Sequence, residues 1–446
     1  MGKQMIQECH GHENNEKCKQ CKIYNNLTFS WDFLCSENEE MLNNKMKKQL
    51  EEKNKKELKK SETYILQEIK KSEEDKNLKP EEKIKKLKKN SFFKDDFYYN
   101  FNYGVNFFSL KKSYLVKIYN LDSGNKLGEF TTIPGEPYFS PQKFYIRWGI
   151  KVYDGEKLFL EKELDLNNKD VFIESKSDCI GDNVAWIKAV DNFQKKHNCN
   201  LTCVFPESLI ESFSITYPNI RFLRKKDRKK YEACYYLKCG HATTKNETIV
   251  YHNIIALDKI AEYILEVEHQ EKPKKMITTN VPDFGGEYVC YSERASSAMK
   301  EWNNPEALKE VIEYIQSLGL KVVNIDQMPL IKDLKDVIYL NGKDISIQER
   351  INTISGAKFF IGMASGMSWL SWACHIPTIM ISSFSLPLSE YENPYRVFSK
   401  DFCFGCWNLF SAINCSNNEK YICNKGITAK QVIEKINQIM EDLKND

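Results

Sequence analysis

This chain lacks a marked excess of either charge. Its 446 residues carry 65 Lys and Arg against 62 Asp and Glu, a formal net charge of +3, so no global field exists to hold nucleic acid or an anionic membrane. An apolar leader is missing too. Met1 to Cys21 is dense in charged and amide side chains, and without the apolar core of a secretory signal the expectation is a cytoplasmic protein. Long hydrophobic runs are scarce as well. The one candidate, Phe359 to Ser389, has no Lys, Arg, Asp or Glu, but Gly362, Gly366, His375, Pro377 and Pro387 interrupt it. A bilayer span asks for about 20 apolar residues in continuous helix, so this run reads as buried strand-helix-strand and no membrane span is expected.

What is present suffices for folding. Hydrophobic residues make up 41% and aromatic residues 12%, with 23 Tyr and 25 Phe, enough for sizeable cores despite a mean hydropathy of −0.55. The length suggests two domains and an appendage. Fifteen Cys in a long chain without an export signal point to reduced thiols or thiolate metal ligands instead of a disulfide scaffold.

Composition divides the chain. More than half of residues 44–90 are Lys, Glu or Asp, with Tyr64 the only aromatic, so residues 1–95 read as a charged helical or flexible extension. Pro80 followed by Glu81 and Glu82 has the form of a helix start. Ahead of it, Cys9, His10, His12, Cys18 and Cys21 include a CxxC pair and can be read as metal ligands. Residues 96–168 turn aromatic and β-branched. There Ser113 to Tyr119 and Lys126 to Ile133 flank Asp122-Ser123-Gly124-Asn125, and Phe144 to Tyr153 and Lys157 to Leu164 flank Asp154-Gly155, two hairpins of a small antiparallel β domain. Residues 169–270 and 276–446 each alternate short apolar runs with helical periodicity, the pattern of parallel sheets wrapped by helices, and the Lys/Pro-rich joint Glu271 to Lys275 separates them. The prediction is α/β, two Rossmann-like lobes in tandem, with ligands at the carboxyl ends of the strands.

Four constellations can carry chemistry. Cys179-Ile180-Gly181-Asp182-Asn183 lies at the step from the first strand of lobe one into its helix. A carboxylate at Asp182 can deprotonate a hydroxyl nucleophile, or it can simply cap the helix. Ser296-Ser297-Ala298-Met299-Lys300-Glu301-Trp302 follows the first strand of lobe two, where Lys300 suits a phosphate or is one surface lysine among many, and Trp302 suits packing. Ala364-Ser365-Gly366-Met367-Ser368-Trp369 sits between a buried strand and an apolar helix, so the N–H groups of that turn can bind a diphosphate, or Gly366 can merely permit close packing. Cys403, Cys406, Cys415 and Cys423 fall in one Gly/Asn-rich loop, residues 403–423. Four thiolates with a leading CxxC fit a closed, structural iron or zinc site, against the alternative of scattered reduced cysteines.

From about Phe97 onward the chain resembles the bacterial autotransporter heptosyltransferases, themselves similar to the lipopolysaccharide heptosyltransferases of glycosyltransferase family nine. The ordered blocks that carry the resemblance are Tyr119-Asn120-Leu121-Asp122-Ser123-Gly124-Asn125, Ile180-Gly181-Asp182, Leu201-Thr202-Cys203, Lys300-Glu301-Trp302-Asn303-Asn304-Pro305, Ser365-Gly366-Met367-Ser368-Trp369-Leu370, Pro394-Tyr395-Arg396-Val397 and Cys403-Phe404-Gly405-Cys406-Trp407-Asn408. The resemblance implies a GT-B fold preceded by the small β domain, and an inverting enzyme that moves heptose from ADP-heptose onto Ser hydroxyls of an autotransporter adhesin. It implies Asp182 as general base, Lys300 on the donor phosphates, Ser365, Gly366 and Met367 as the diphosphate turn, and Asp326 on the nucleotide side. It also implies Cys403, Cys406, Cys415 and Cys423 as ligands of a structural iron, no catalytic divalent metal, and a homo-oligomer. Two rivals stand beside it. One keeps the chemistry and changes the acceptor to a lipid-linked or other saccharide. The other is a non-enzymatic metal-dependent assembly or nucleic-acid-binding protein, against which the absence of a basic stripe interleaved with aromatics argues.

Overall fold

The computed structural model describes residues 91–446 apart from 228, 240–254, 341–344, 400, 411–414, 416 and 446. Most of the charged extension, with its Cys/His cluster and Pro80, lies outside the described residues; its last residues, 91–95, are described and hold a strand, Phe92–Lys94, where helical or flexible chain was expected. From Asn90 onward the chain forms one compact unit.

The aromatic segment opens with β1 (Phe92–Lys94), β2 (Phe97–Asn102) and β3 (Asn106–Ser109), then β4 (Leu115–Asn120), β5 (Lys126–Thr131), β6 (Pro137–Phe139), β7 (Trp148–Asp154) and β8 (Lys157–Glu163). Both expected hairpins form. They join into an antiparallel sheet of order β5-β4-β7-β8, with Gly124 and Gly155 supplying the positive φ of the two turns. Inward residues Val116, Ile118, Ile150 and Val152 are buried and alternate with exposed or half-buried polar ones.

The expected boundary at residue 168 differs from the structure. β1, β2, β3 and β6 leave the hairpin sheet and extend the sheet of lobe one. That lobe supplies β9 (Asp170–Ser175), α1 (Ile180–His197), β10 (Asn200–Val204), α2 (Glu207–Thr216), β11 (Arg221–Leu223), β12 (Ala233–Leu237) and α3 (Leu257–Leu265). The resulting eight-stranded sheet has the order β11-β10-β9-β12-β2-β3-β6, with β1 on β2. β12 pairs in parallel with β9 on one side and with β2 on the other, Ala233 opposite both Val171 and Phe101. β2 therefore covers an edge that lobe one would otherwise leave open.

Lobe two contains β13 (Tyr288–Tyr291), α4 (Pro305–Ser317), β14 (Lys321–Asn324), β15 (Val337–Tyr339), α5 (Ile347–Ser355), β16 (Phe360–Met363), α6 (Gly366–Ala373), β17 (Thr378–Ile381) and β18 (Arg396–Val397), followed by α7 (Cys406–Phe410), α8 (Ile422–Lys425) and α9 (Ala429–Asn445). Its sheet, β15-β14-β13-β16-β17-β18, is parallel throughout. β13, β16 and β17 are buried at every residue, which is why they read as unbroken apolar runs. The uncharged stretch from Phe359 is thus β16-α6-β17, and no helix among the described residues is long and apolar enough to cross a membrane.

α1 is the hinge pin of the architecture. It packs on α3 and on α6 of the other lobe, and Val184, Ala185, Trp186, Ile187, Ala189, Val190 and Phe193 are fully buried, since a helix enclosed on all sides needs apolar residues all round. Lys188 is the exception, 1% exposed. Its ammonium meets Asp258 Oδ2 at 2.6 Å and Glu262 Oε1 at 2.9 Å on α3, lies over the Trp372 ring, and donates to the Gln270 carbonyl in the joint between the lobes. Two buried carboxylates around one ammonium hold that joint in place, because a buried charge without its partner is strongly destabilising.

Candidate active site

The turn that ends β9 and begins α1 builds the first half of the site. Ser177 Oγ accepts from the Cys179 amide at 3.1 Å and donates to Asp182 Oδ2 at 2.5 Å. Asn183 Nδ2 donates to the Ser177 and Cys179 carbonyls at 2.9 and 2.7 Å. From the end of β12, Cys239 Sγ approaches the same Asp182 oxygen at 3.9 Å. Burial, then the charge of Asp182, hold the Cys239 thiol well above its usual range, so it stays a donor. Asp182 lies in the first turn of α1, but the residue at the N-cap, Cys179, makes no side-chain cap.

Gly181 and Gly366 bring the lobes together. A Cβ on Gly366 would lie 3.0 Å from Ile180 Cβ and 3.3 Å from the Gly181 nitrogen, and one on Gly181 would lie 3.1 Å from Trp369 Cδ1 and 3.4 Å from Gly366 Cα. The amino ends of α1 and α6 therefore face each other at van der Waals distance. Ser365, the N-cap of α6, makes no side-chain cap, and its own amide is spent on the Met363 carbonyl at 2.7 Å. Two positive helix ends in apposition favour an anion beside them.

Lys300 reaches this place from the loop after β13. Its Nζ lies 5.6 Å from the centre of the Phe384 ring. Burial lowers its pKa, while the nearby Asp182 carboxylate pulls the other way, so the ammonium sits within electrostatic reach of the carboxylate on the opposite lobe. Trp302 packs, as its residue type suggests, with Nε1 donating to the Ile427 carbonyl at 3.0 Å.

Asp326 is 5% exposed at the end of β14. Its carboxylate accepts from Ser292 Oγ at 2.6 Å and from the Glu293 amide at 2.7 Å, and burial raises its pKa against these hydrogen bonds. Its visible work is to hold the β13 loop that leads to Lys300. Glu293 beside it, which sequence reading did not single out, accepts from the Ile331 amide at 3.0 Å, and burial pushes its carboxyl up to about 7.

The cysteine loop packs against the same loop from the other side. Cys403 interacts with Cys406 and Cys423, and Cys406 in turn with Cys415. The Tyr421 amide points to Cys415 Sγ at 3.4 Å and Asn417 Nδ2 to Cys403 Sγ at 3.8 Å. Converging thiols with N–H donors aimed at sulfur fit a thiolate-bound metal, whose outer contacts are of this kind. Asn424, fully buried next to Cys423, accepts from the Ser383 amide at 2.9 Å and donates to the Met299 and Glu301 carbonyls at 2.9 and 3.3 Å, so the cysteine loop braces the residues on either side of Lys300. Among the described residues Asp258, Glu262 and His269 gather ligand-type atoms within 4.8 Å of one another, but the Lys188 ammonium already lies against Asp258 and Glu262.

No protein-family model matches the chain. The chain is 32% identical over 372 residues to the autotransporter heptosyltransferase Aah of Escherichia coli, covering 78% of this chain and 94% of that protein. It is 29% identical over 381 residues to the autotransporter heptosyltransferase TibC of Escherichia coli, covering 78% and 91%. A crystal structure of TibC, described as a dodecameric iron-containing heptosyltransferase in complex with ADP-D-β-D-heptose, superposes with a TM-score of 0.72 at 28% identity over 79% of this chain and 98% of that one. BimC of Burkholderia thailandensis, named an inactive autotransporter heptosyltransferase, is 29% identical over 285 residues, 61% of this chain and 67% of that protein. These likenesses run through both lobes that meet at Gly181 and Gly366, and they set aside the reading of a non-enzymatic assembly or nucleic-acid-binding protein: the chain belongs to the autotransporter heptosyltransferase family and is a glycosyltransferase.

Proposed function

We propose that this chain is a GT-B enzyme of inverting type that transfers heptose from ADP-heptose to Ser hydroxyls of an autotransporter adhesin in the cytoplasm. The observation that carries the reading is the meeting of Asp182 on lobe one with Lys300 and the Gly366 turn on lobe two. The donor stands on TibC, whose structure holds ADP-D-β-D-heptose; the acceptor stands on the family's autotransporter relatives.

The chemistry follows from the charges. The Ser oxygen attacks the anomeric carbon while Asp182 takes the hydroxyl proton, and the bond from that carbon to the β-phosphate oxygen breaks in the same displacement. The departing ADP gains negative charge, which Lys300 and the first-turn amides of α6 are placed to compensate. Protein groups thus meet both charge demands and no catalytic divalent metal enters a step. Asp326 serves the nucleotide side through the loop it anchors. Cys403, Cys406, Cys415 and Cys423 would hold a structural metal, iron by analogy with TibC and zinc by equal ligand chemistry. A homo-oligomer is proposed on the same relative.

The deciding experiment replaces Asp182 with Asn, which keeps the shape and removes the base. Transfer falls by about 10² to 10⁴, while ADP still raises the melting temperature. Near-normal turnover in that variant refutes the assignment of the base, an outcome worth testing in a family that includes BimC. Mass spectrometry of a co-expressed adhesin checks the acceptor: heptose absent from its Ser residues, but present on a lipid-linked or free saccharide, favours the second acceptor class.

A further inference from the structure

We propose that Ser177 is a positioning residue for the base: its hydroxyl orients the Asp182 carboxylate and holds it ionised. The inference rests on Asp182 being that base, and it adds a residue to which no role in the reaction has been assigned.

The geometry argues for it from both ends of the hydrogen bond. Ser177 Oγ is fixed before it reaches Asp182, because it accepts the Cys179 amide at 3.1 Å, and its lone O–H then has Asp182 Oδ2 at 2.5 Å as acceptor. The Ser177 backbone is fixed as well. Its amide donates to Ser175 Oγ at 3.3 Å, and its carbonyl takes Asn183 Nδ2 at 2.9 Å. The turn from β9 into α1 is therefore a rigid frame that presents one donor to one carboxylate oxygen. Oxygen-to-oxygen bonds this short are typical of an ionised acceptor.

A donor to the charged form lowers a carboxyl pKa, so removing it raises that pKa. Other groups facing Asp182 include Lys300, whose positive charge also favours the carboxylate, and the thiols of Cys179 and Cys239. Of these, Cys239 donates to the same oxygen as Ser177, at the longer 3.9 Å. With Ser177 gone, the carboxylate loses the donor that meets Oδ2 at 2.5 Å.

The test is a pH profile of transfer by the full-length enzyme carrying Ser177→Ala, Ser177→Thr or Asp182→Asn, with ADP-heptose and a Ser-containing adhesin fragment. Ser177→Ala is expected to move the acid limb of kcat/KM up by about one pH unit, equivalent to about 1.4 kcal/mol, and to lower it about tenfold below the limb. Raising the pH recovers part of the loss, because the base then ionises without help. Ser177→Thr restores the limb, since its hydroxyl can take the same place, and the ADP-induced rise in melting temperature is unchanged in all three variants. An unmoved acid limb in Ser177→Ala, with Asp182→Asn inactive, overturns the role of Ser177 and leaves the base intact. A loss equal at every pH that Ser177→Thr does not restore also overturns it, since that is a purely structural effect. If Asp182→Asn turns over normally, the base assignment itself falls and this inference with it. Should Ser177→Ala fail to fold, Ser177→Cys, which keeps a weaker donor, takes its place: a limb left unmoved overturns the proposal, and a smaller upward move supports it.

Discussion

At the scale of single residues, the site depends on how burial and neighbouring charge act on a few titratable groups. Lys300 has a lowered pKa through burial, offset by Asp182. A diphosphate adds negative charge beside the ammonium and favours the protonated form, so ADP affinity is highest below the lowered Lys300 value and declines as pH rises through it, before the 10.5 of an ordinary lysine is reached. Calorimetric titration with ADP between pH 7 and about 10 should show that decline. Lys300→Arg should move the decline to higher pH, and Lys300→Ala should lower affinity about 10- to 100-fold at neutral pH. Affinity that ignores both pH and Lys300→Ala would remove Lys300 from the donor site. Much of this was legible in the chain. Asp182, Lys300 and Gly366 each lie at a strand-to-helix step, where α/β folds gather ligands, whereas Ser177 and Cys239 carry no motif and become visible only through their distances to Asp182.

At the scale of elements, the apposition of α1 and α6 is the critical fact. The two helices belong to different lobes, and a Cβ on either glycine would crowd the other helix, at 3.0 Å from Ile180 Cβ or 3.1 Å from Trp369 Cδ1. Gly366→Ala forces a Cβ to 3.0 Å from Ile180 Cβ, an overpacking expected to cost about 1–3 kcal/mol in chemical denaturation. Transfer should fall further than ADP binding, because the shift displaces Asp182 relative to Lys300 while the α6 amides stay with their own lobe. Full activity with unchanged stability in that variant would mean the helix ends do not need this contact. The expected alternation of short apolar strands and longer helices holds through both lobes, as in β10-α2-β11 and β16-α6-β17. Thr428 caps α9, with Gln431 returning the bond. α5 was readable in principle, since Ser346 and Glu349 form a capping box whose S-x-x-E spacing stands in the chain. β12 was harder to see, being five residues long behind a Lys-rich stretch; its hydrogen-bonding partners define it.

For the whole molecule, the cysteine loop and the active site form one mechanical unit. Asn424 ties the residue next to Cys423 to the carbonyls of Met299 and Glu301, and Trp302 and Asn304 return bonds to the Ile427 carbonyl. Under the proposed metal site, chelation, or replacing Cys403 and Cys423 with Ser, should lower the melting temperature and weaken ADP binding together, because the loop carrying Lys300 loses its brace. Elemental analysis of the purified protein identifies iron or zinc, and a metal-free sample of full stability would eliminate the site.

Local pattern alone determined the alternation of strands and helices, the two hairpins, the four thiols in one loop and the absence of a membrane-spanning run, since each depends on neighbours a few residues apart. The tertiary structure decided what those elements do together. It joined β2 to lobe one through β12, placed Lys188 between two carboxylates under the joint, and set Gly181 against Gly366, 185 positions apart in the numbering. Such contacts depend on which edges and faces remain open after each lobe has formed, and no periodicity in a single chain encodes the distance between surfaces so far apart in sequence.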